Sequence, residues 1–205
     1  MFTGIVESTG TVLSLENREK AWRLKLAVPA DMASSLSIGD SLACNGCCLT
    51  VVEKGEGSLS FELLEETLRL TNFEGMPEGA KVNLERPLQA GARLGGHFVS
   101  GHIDARSEIL EFERRGKNFY LRAAVPQEFS PYCVYKGSIA IDGISLTIAE
   151  AHPDSLAVWL IPHTLEVTNL SQAKAGSKVN LEFDLLAKYV EKIATGRREK
   201  SPFQP

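Results

Sequence analysis

An all-β chain, built from two copies of one small domain and ended by a helix, is predicted by three features of the 205-residue sequence. Segments recur at a constant offset, apolar residues inside each copy alternate with period two, and a helical apolar period occurs only near the end.

The repeat has to be read first, because overlooking it misjudges the whole fold. "TLRLTNF" at 67–73 is answered by "TLEVTNL" at 164–170, and "GAKVNLE" at 79–85 by "GSKVNLE" at 176–182, an offset of 97 each time. The same offset pairs Gly4 with Gly101, Val28-Pro29 with Val125-Pro126, Gly46 with Gly143, and Leu49-Thr50 with Leu146-Thr147. Six of seven residues agree in the "KVNLE" block, where chance gives roughly one match in fifteen per position at average composition. Two homologous domains follow, at residues 1–87 and 98–184. The intervening 88–97, "LQAGARLGGH", has the small residues and Gly-Gly pair of a connector.

Within the first copy, Leu24, Leu26 and Val28 alternate with Arg23, Lys25 and Ala27, and Leu59, Phe61 and Leu63 alternate with Ser58, Ser60 and Glu62. That is the signature of half-buried strands. Turn-rich breaks such as "SIGDS", "EKGEG" and "GMPEG" space them as in a small antiparallel barrel or sandwich. Leu185, Leu186, Tyr189, Val190 and Ile193 recur at i, i+1, i+4, i+5 and i+8, one face of a helix, which opens the last segment, 185–205. The residues leave two fates for that face: packing on its own barrel, or contact with other chains.

Composition excludes several functions. Net charge is −4, hydrophobic content is 43%, and no basic cluster occurs before "GRREK" near the C-terminus, so no nucleic-acid partner is expected. No apolar run approaches the roughly 18–20 residues that span a bilayer, and the N-terminus lacks a signal-like charge pattern. A soluble, cytoplasmic protein is expected, with no membrane partner. Three of the four cysteines crowd into residues 44–48, unlike a secreted disulfide framework, so reduced thiols are expected.

A duplicated binding domain implies two similar pockets. Thr50 and Thr147, Ser41 and Ser138, and Thr67 and Thr164 are hydroxyls held in common, suited to a flat polar heterocycle or a polyol. Threonine is also simply a good strand residue. Where the copies differ, Cys48 is answered by Ser145, Ile5 by His102, Gly39 by Lys136 and Glu66 by His163, so the second copy gains basic and proton-transferring groups. Cys44-x-x-Cys47 with His97-x4-His102 mimics a Cys2His2 metal set, but Ile141 and Ile144 stand at the cysteine positions of the second copy and the pairs are too far apart for a finger. No metal is expected.

"MFTGIVE", "NGCCLTV", "GGHFVSGHID", "YKGSIAIDGISLTI" and "IPHTLEVTNL" resemble the motifs of the riboflavin synthase family, the alpha-chain type, from Met1 to about residue 186. The resemblance implies a pair of six-stranded antiparallel Greek-key barrels and a C-terminal helix through which three chains associate. It implies a dismutation of two 6,7-dimethyl-8-ribityllumazine molecules, giving riboflavin and 5-amino-6-ribitylaminouracil without cofactor or metal. The reacting pair would lie between the N-terminal barrel of one subunit and the C-terminal barrel of its neighbour.

Carried over by position, the first pocket would use Gly4, Ile5 and Val6, then Ser41, then Cys48, Leu49 and Thr50, then Glu62, Leu63, Leu64, Glu65, Glu66 and Thr67. The second would use Gly101, His102 and Ile103, then Lys136, then Ser145, Leu146 and Thr147, then Ile161, Pro162, His163, Thr164, Leu165 and Glu166. Cys48 is assigned to the acceptor side, as a nucleophile adding at C7 or positioning one. His102, Ser145 and Thr147 are assigned to proton handling on the other side, with Lys136 as an electrostatic aid. Lumazine proteins of bioluminescent bacteria resemble the family yet only hold the ligand; they tend to lose the reactive positions, and here Cys48, His102, Ser145 and Lys136 are all present. Contact with the lumazine synthase that makes the substrate stays open, with the "GRREKSPFQP" tail as its candidate.

Overall fold

The computed structural model describes residues 1–18 and 21–196; the C-terminal tail proposed as a docking segment lies outside them from residue 197 onward. The first copy forms β1 (Ser8–Arg18), β2 (Ala21–Ala27), α1 (Ala30–Ser35), β3 (Ser41–Cys44), β4 (Cys47–Gly55), β5 (Ser58–Leu63), α2 (Glu65–Leu70) and β6 (Lys81–Glu85). The second forms β7 (Ala105–Arg115), β8 (Asn118–Ala124), β9 (Ser138–Ile141), β10 (Ile144–Ala151), β11 (Ser155–Leu160), α3 (Pro162–Val167) and β12 (Lys178–Phe183). Where the first copy has α1, Pro131 removes a backbone donor from the equivalent stretch, and Gln127–Tyr132 winds as a 3-10 helix.

Each copy closes into a six-stranded antiparallel barrel, in the order β1-β2-β5-β4-β3-β6 and its equivalent in the second copy. The sandwich alternative is thereby excluded. Bulges fall at matching places, Val12/Ser14 and Ile109/Glu111, Val51/Glu53 and Ile148/Glu150, where they add the curvature that closure of a small barrel requires. The period-two residues fill the interiors: Leu24, Leu26, Leu59 and Phe61 are fully buried in one barrel, as are Ile109, Leu121, Ile148 and Val158 in the other.

The barrels meet at a polar seam built from three residue pairs, each related by the 97-residue offset: Asn45 with Asp142, Asn72 with Asn169, and Asn83 with Asn180. Asn45-Gly46 and Asp142-Gly143 are the two-residue turns of the β3–β4 and β9–β10 hairpins, with positive φ at all four residues as a type I′ turn demands. Across the seam, Asn83 Nδ2 donates to the Asp142 carbonyl and Asn180 Nδ2 to the Asn45 carbonyl, both at 2.9 Å. The Asn72 amide N–H donates to Asn180 Oδ1 (2.6 Å) and the Asn169 amide N–H to Asn83 Oδ1 (2.7 Å). So many matched, buried hydrogen bonds specify one docking of the barrels, because any slip strands several polar groups without partners.

One substitution breaks the symmetry. Asp142 stands where the first copy has Asn45, fully enclosed and accepting from the Asn180 amide, Asn72 Nδ2 and Asn169 Nδ2. Burial outweighs those donors and pushes its carboxyl up to about 7. A carboxyl raised above its unfolded value stabilises the fold fully below the unfolded pKa of about 3.9, and that contribution is lost as pH rises through the folded value. Unfolding free energy should therefore fall between about pH 4 and 7, at most by about 1.4 kcal/mol per unit from this group. Asp142→Asn should flatten that slope, which urea denaturation at a series of pH values measures directly.

Helix α4 (Leu185–Thr195) follows β12, capped by Asp184 Oδ1 accepting the Leu186 amide and tied to barrel two by the Lys188–Asp104 ion pair at 2.6 Å. Its apolar face does not pack on the chain's own barrel: Leu186, Tyr189, Val190 and Ile193 are all exposed, Ile193 to 80%. No helix among the described residues is long and apolar enough to cross a membrane.

Candidate functional site

Both key strands leave the seam turns and carry one residue type inward and the next outward. Along β4, Cys47, Leu49 and Val51 enter the core, while Cys48 is half-buried and Thr50 exposed on the outer wall. Along β10, Ile144 and Ile148 are buried, Ser145 is half-buried and Thr147 exposed. The reactive candidates therefore line the outside of each barrel beside the seam. Ser41 faces Thr50 across β3–β4, and Ser138 faces Thr147 across β9–β10, so both walls end in a hydroxyl pair.

The segments before each barrel cross the seam. Phe2 and Val99 pair antiparallel, with reciprocal N–H···O bonds of 2.7 and 3.2 Å. Beyond this bridge each chain segment lies on the opposite barrel. The Ser145 amide donates to the Gly4 carbonyl at 2.7 Å, and the Cys48 amide donates to the Gly101 carbonyl at 2.8 Å. Val6 packs on the core of barrel two and Ile103 on that of barrel one.

This corrects the pocket groupings expected above. Gly4, Ile5 and Val6 belong with Ser145, Leu146 and Thr147; Gly101, His102 and Ile103 belong with Cys48, Leu49 and Thr50. The cause is topological: the paired strands at Phe2 and Val99 run through the seam, and this crossing cannot be read from equivalence between copies. His102, assigned to proton handling opposite Cys48, stands instead on the Cys48 side.

Sequence reasoning also missed His97, a connector residue. Its Nδ1 lies 2.7 Å from Ser145 Oγ, and its amide donates to the Thr3 carbonyl at 3.1 Å. Burial lowers its pKa, against the raising effect of Asp184, which favours a neutral ring able to accept the Ser145 proton. Along the sequence, the spacing of His97 to His102 matches only half of a metal set. Cys44 and Cys47, the other half of that set, are buried, with burial the main cause pushing both thiols up, Cys47 to about 12. All four cysteines are unpaired.

The remaining candidates fall on the flanks. Glu62 points outward and pairs with Arg23 at 2.9 Å, whereas the Leu63 side chain is in the core. Leu64 is exposed just before α2, whose first residues are Glu65, Glu66 and Thr67. In barrel two Ile161 is exposed ahead of α3, where Pro162, His163 and Glu166 are exposed, Thr164 is half-buried, and Leu165 packs on the core.

Lys136 sits in the turn before β9, its ammonium 5.2 Å from the centre of the Tyr135 ring. It holds φ +65, at the position where the first copy has Gly39 at φ +93. A side chain in the left-handed region costs about 1–2 kcal/mol, a cost that Gly39 avoids in the first copy. Lys136→Gly should raise thermal stability by about 1 kcal/mol while lowering turnover of the native reaction; thermal melts and assays on one preparation test both halves.

The Lumazine binding domain model matches twice, at residues 3–87 and 100–184. The chain is 40% identical over 190 residues to riboflavin synthase of Bacillus subtilis (strain 168), covering 93% of this chain and 88% of that protein. It is 41% identical over 199 residues to the Brucella abortus (strain 2308) riboflavin synthase, covering 95% and 98%. The solved structure of LumP complexed with 6,7-dimethyl-8-(1'-D-ribityl) lumazine superposes with a TM-score of 0.81 at 26% identity, covering 89% of this chain and 98% of that one. With two family domains over nearly its whole length and matched relatives of its own size, the chain belongs to the riboflavin synthase family.

Proposed function

We propose that this chain converts two molecules of 6,7-dimethyl-8-ribityllumazine into one riboflavin and one 5-amino-6-ribitylaminouracil, by transfer of a four-carbon unit, as the last step in making riboflavin. The observation that carries this is a pair of equivalent half-sites with unlike chemistry: Cys48 with Thr50 and His102 in one, Ser145 with Thr147 and His97 in the other. A reaction between two identical molecules needs two similar cradles, and it needs them to treat donor and acceptor differently.

Strand-edge amides and carbonyls can read the pyrimidine-dione edge, and the Ser41–Thr50 and Ser138–Thr147 hydroxyls can hold the ring or the ribityl chain. One lumazine gives up a proton from its 7-methyl group and becomes a carbon nucleophile. The other becomes electrophilic at C6 when a nucleophile adds reversibly at C7, to be expelled again as the product ring forms, and Cys48 is the group we assign to that addition or to positioning it. Ser145, backed by neutral His97, and Thr147 take the proton-handling role, with Lys136 supplying positive charge. Stacking the two rings provides the effective concentration that a bimolecular reaction in water lacks.

Both half-sites stand on open outer walls of their barrels, on either side of the seam. Apposing two rings then calls for a second chain, and the exposed face of α4 supports a homotrimer in which barrel one of one subunit meets barrel two of the next. The cytoplasm is the compartment we assign, in keeping with four unpaired cysteines. Lumazine synthase, as supplier of the substrate, is the docking partner to examine.

Incubation of the protein with 6,7-dimethyl-8-ribityllumazine, following riboflavin formation and lumazine loss together, tests the proposal. One riboflavin per two lumazines over many turnovers is expected. Stoichiometric lumazine that binds and persists would instead make the chain a carrier of the same fold.

A further inference from the structure

The strongest internal repeat, "KVNLE", has no part in the chemistry above. In both copies its valine and leucine point into the barrel, so the alternation turns Asn83 and Glu85, or Asn180 and Glu182, toward the seam. The asparagines are used in docking the barrels. The glutamates do something else. Glu85 Oε1 accepts the Thr3 amide (2.6 Å) and hydroxyl (2.7 Å), and its Oε2 accepts the Gly4 amide (3.0 Å). Glu182 repeats the grip on the Ser100 amide (2.6 Å), Ser100 hydroxyl (2.7 Å) and Gly101 amide (3.0 Å). The held hydroxyls accept in turn from the Ile5 and His102 amides.

We infer that Glu85 and Glu182 are positioning residues that act across the seam, Glu85 holding the loop that completes the Ser145 half-site and Glu182 the loop that completes the Cys48 half-site. Each carboxylate is buried, 6% and 2% exposed, and three donors converge on it. Without it those donors would be stranded away from water, so the carboxylate selects the one loop conformation that satisfies them. That conformation aims the Gly4 carbonyl at the Ser145 amide and the Gly101 carbonyl at the Cys48 amide, setting where the two reactive strands begin. A barrel's own last strand thus builds the other barrel's pocket. The link to turnover rests on the function proposed above; the positioning itself does not.

Gln is the informative substitution, because its amide keeps one acceptor for Thr3 or Ser100 and sets an N–H against the glycine N–H. Amide hydrogen exchange in the ligand-free full chain separates the two arms. In Glu182→Gln the Cys48 amide should exchange at least tenfold faster, with alkylation of Cys48 altered in rate, while the Ser145 amide stays protected. Glu85→Gln should show the reverse pattern. Lumazine turnover should fall about tenfold or more in each. Unchanged exchange, or equal loosening of both amides in both variants, would overturn the inference in favour of general seam stability. Normal turnover despite the crossed exchange pattern would cut the link to catalysis and leave the positioning standing. If the Gln variants do not fold, Ser100→Ala and Thr3→Val, which remove only one of the three donors, are read by the same exchange pattern and the same criteria apply.

Discussion

Gly101→Ala is expected to abolish turnover and to weaken lumazine binding at the Cys48 half-site. A Cβ built on Gly101 would lie 2.5 Å from the Cys48 Cβ and 2.9 Å from the Phe2 ring, and the backbone there has φ +85. The left-handed conformation costs a non-glycine residue about 1–2 kcal/mol. Overpacking against fixed neighbours adds ~1–3 kcal/mol. The cheapest relief is withdrawal of the 100–103 loop from β4, which takes the Gly101 carbonyl off the Cys48 amide and His102 off the pocket. Cys48→Ser makes the useful contrast, since it leaves the walls intact: turnover should fall while lumazine affinity is nearly kept. Fluorescence titration and steady-state rates on the two variants separate the outcomes. If Cys48→Ser turns over normally, the thiol has no covalent role; if Gly101→Ala does, the crossed loop is not part of the site.

Deleting the residues after Ala187 is the second large effect expected. It removes most of an α4 face whose Tyr189, Val190 and Ile193 are exposed to 58%, 65% and 80% in the single chain. Three such side chains in a row on one helix are worth burying, at about 1.5–3 kcal/mol each when fully covered. Their loss should shift the proposed homotrimer toward monomer, seen by light scattering, and activity should disappear in parallel, because in that arrangement the two outer walls meet only between chains. The cut also breaks the Lys188–Asp104 pair, so Val190→Asp serves as the milder test with that tie intact. An active monomer from either variant would refute an intersubunit site.

How much of this was legible without coordinates varied by residue. Leu24, Leu26, Leu59 and Phe61 announce their strands because a pleated chain with one wet face has to alternate. The 97-residue offset announces two domains of one fold, and it carries even to matching bulges. Cys48, Ser145 and Lys136 stand out as places where equivalent positions diverge, and Thr147 as a hydroxyl shared with Thr50. The left-handed backbone at Lys136 sharpens that reading, yet no spacing rule could have supplied it.

The sequence by itself determined the duplication, the period-two strands, the amphipathic end and the list of unlike reactive positions, since each is a property of neighbours along the chain. Only the tertiary structure decided which residues share a pocket. Gly4 lies with Ser145, Gly101 with Cys48, and His97 on Ser145, because two segments pair at Phe2 and Val99 and cross between the barrels. It also decided where "KVNLE" finds its partners: Asn83 bonds to Asp142 and Asn169 of the docked second barrel, and Glu85 grips Thr3 and Gly4, far away in sequence, in the segment that crosses to it. Hydrogen bonds between residues 81 or more positions apart carry no local pattern, and their specificity comes from the cost of leaving a buried donor or acceptor unmet.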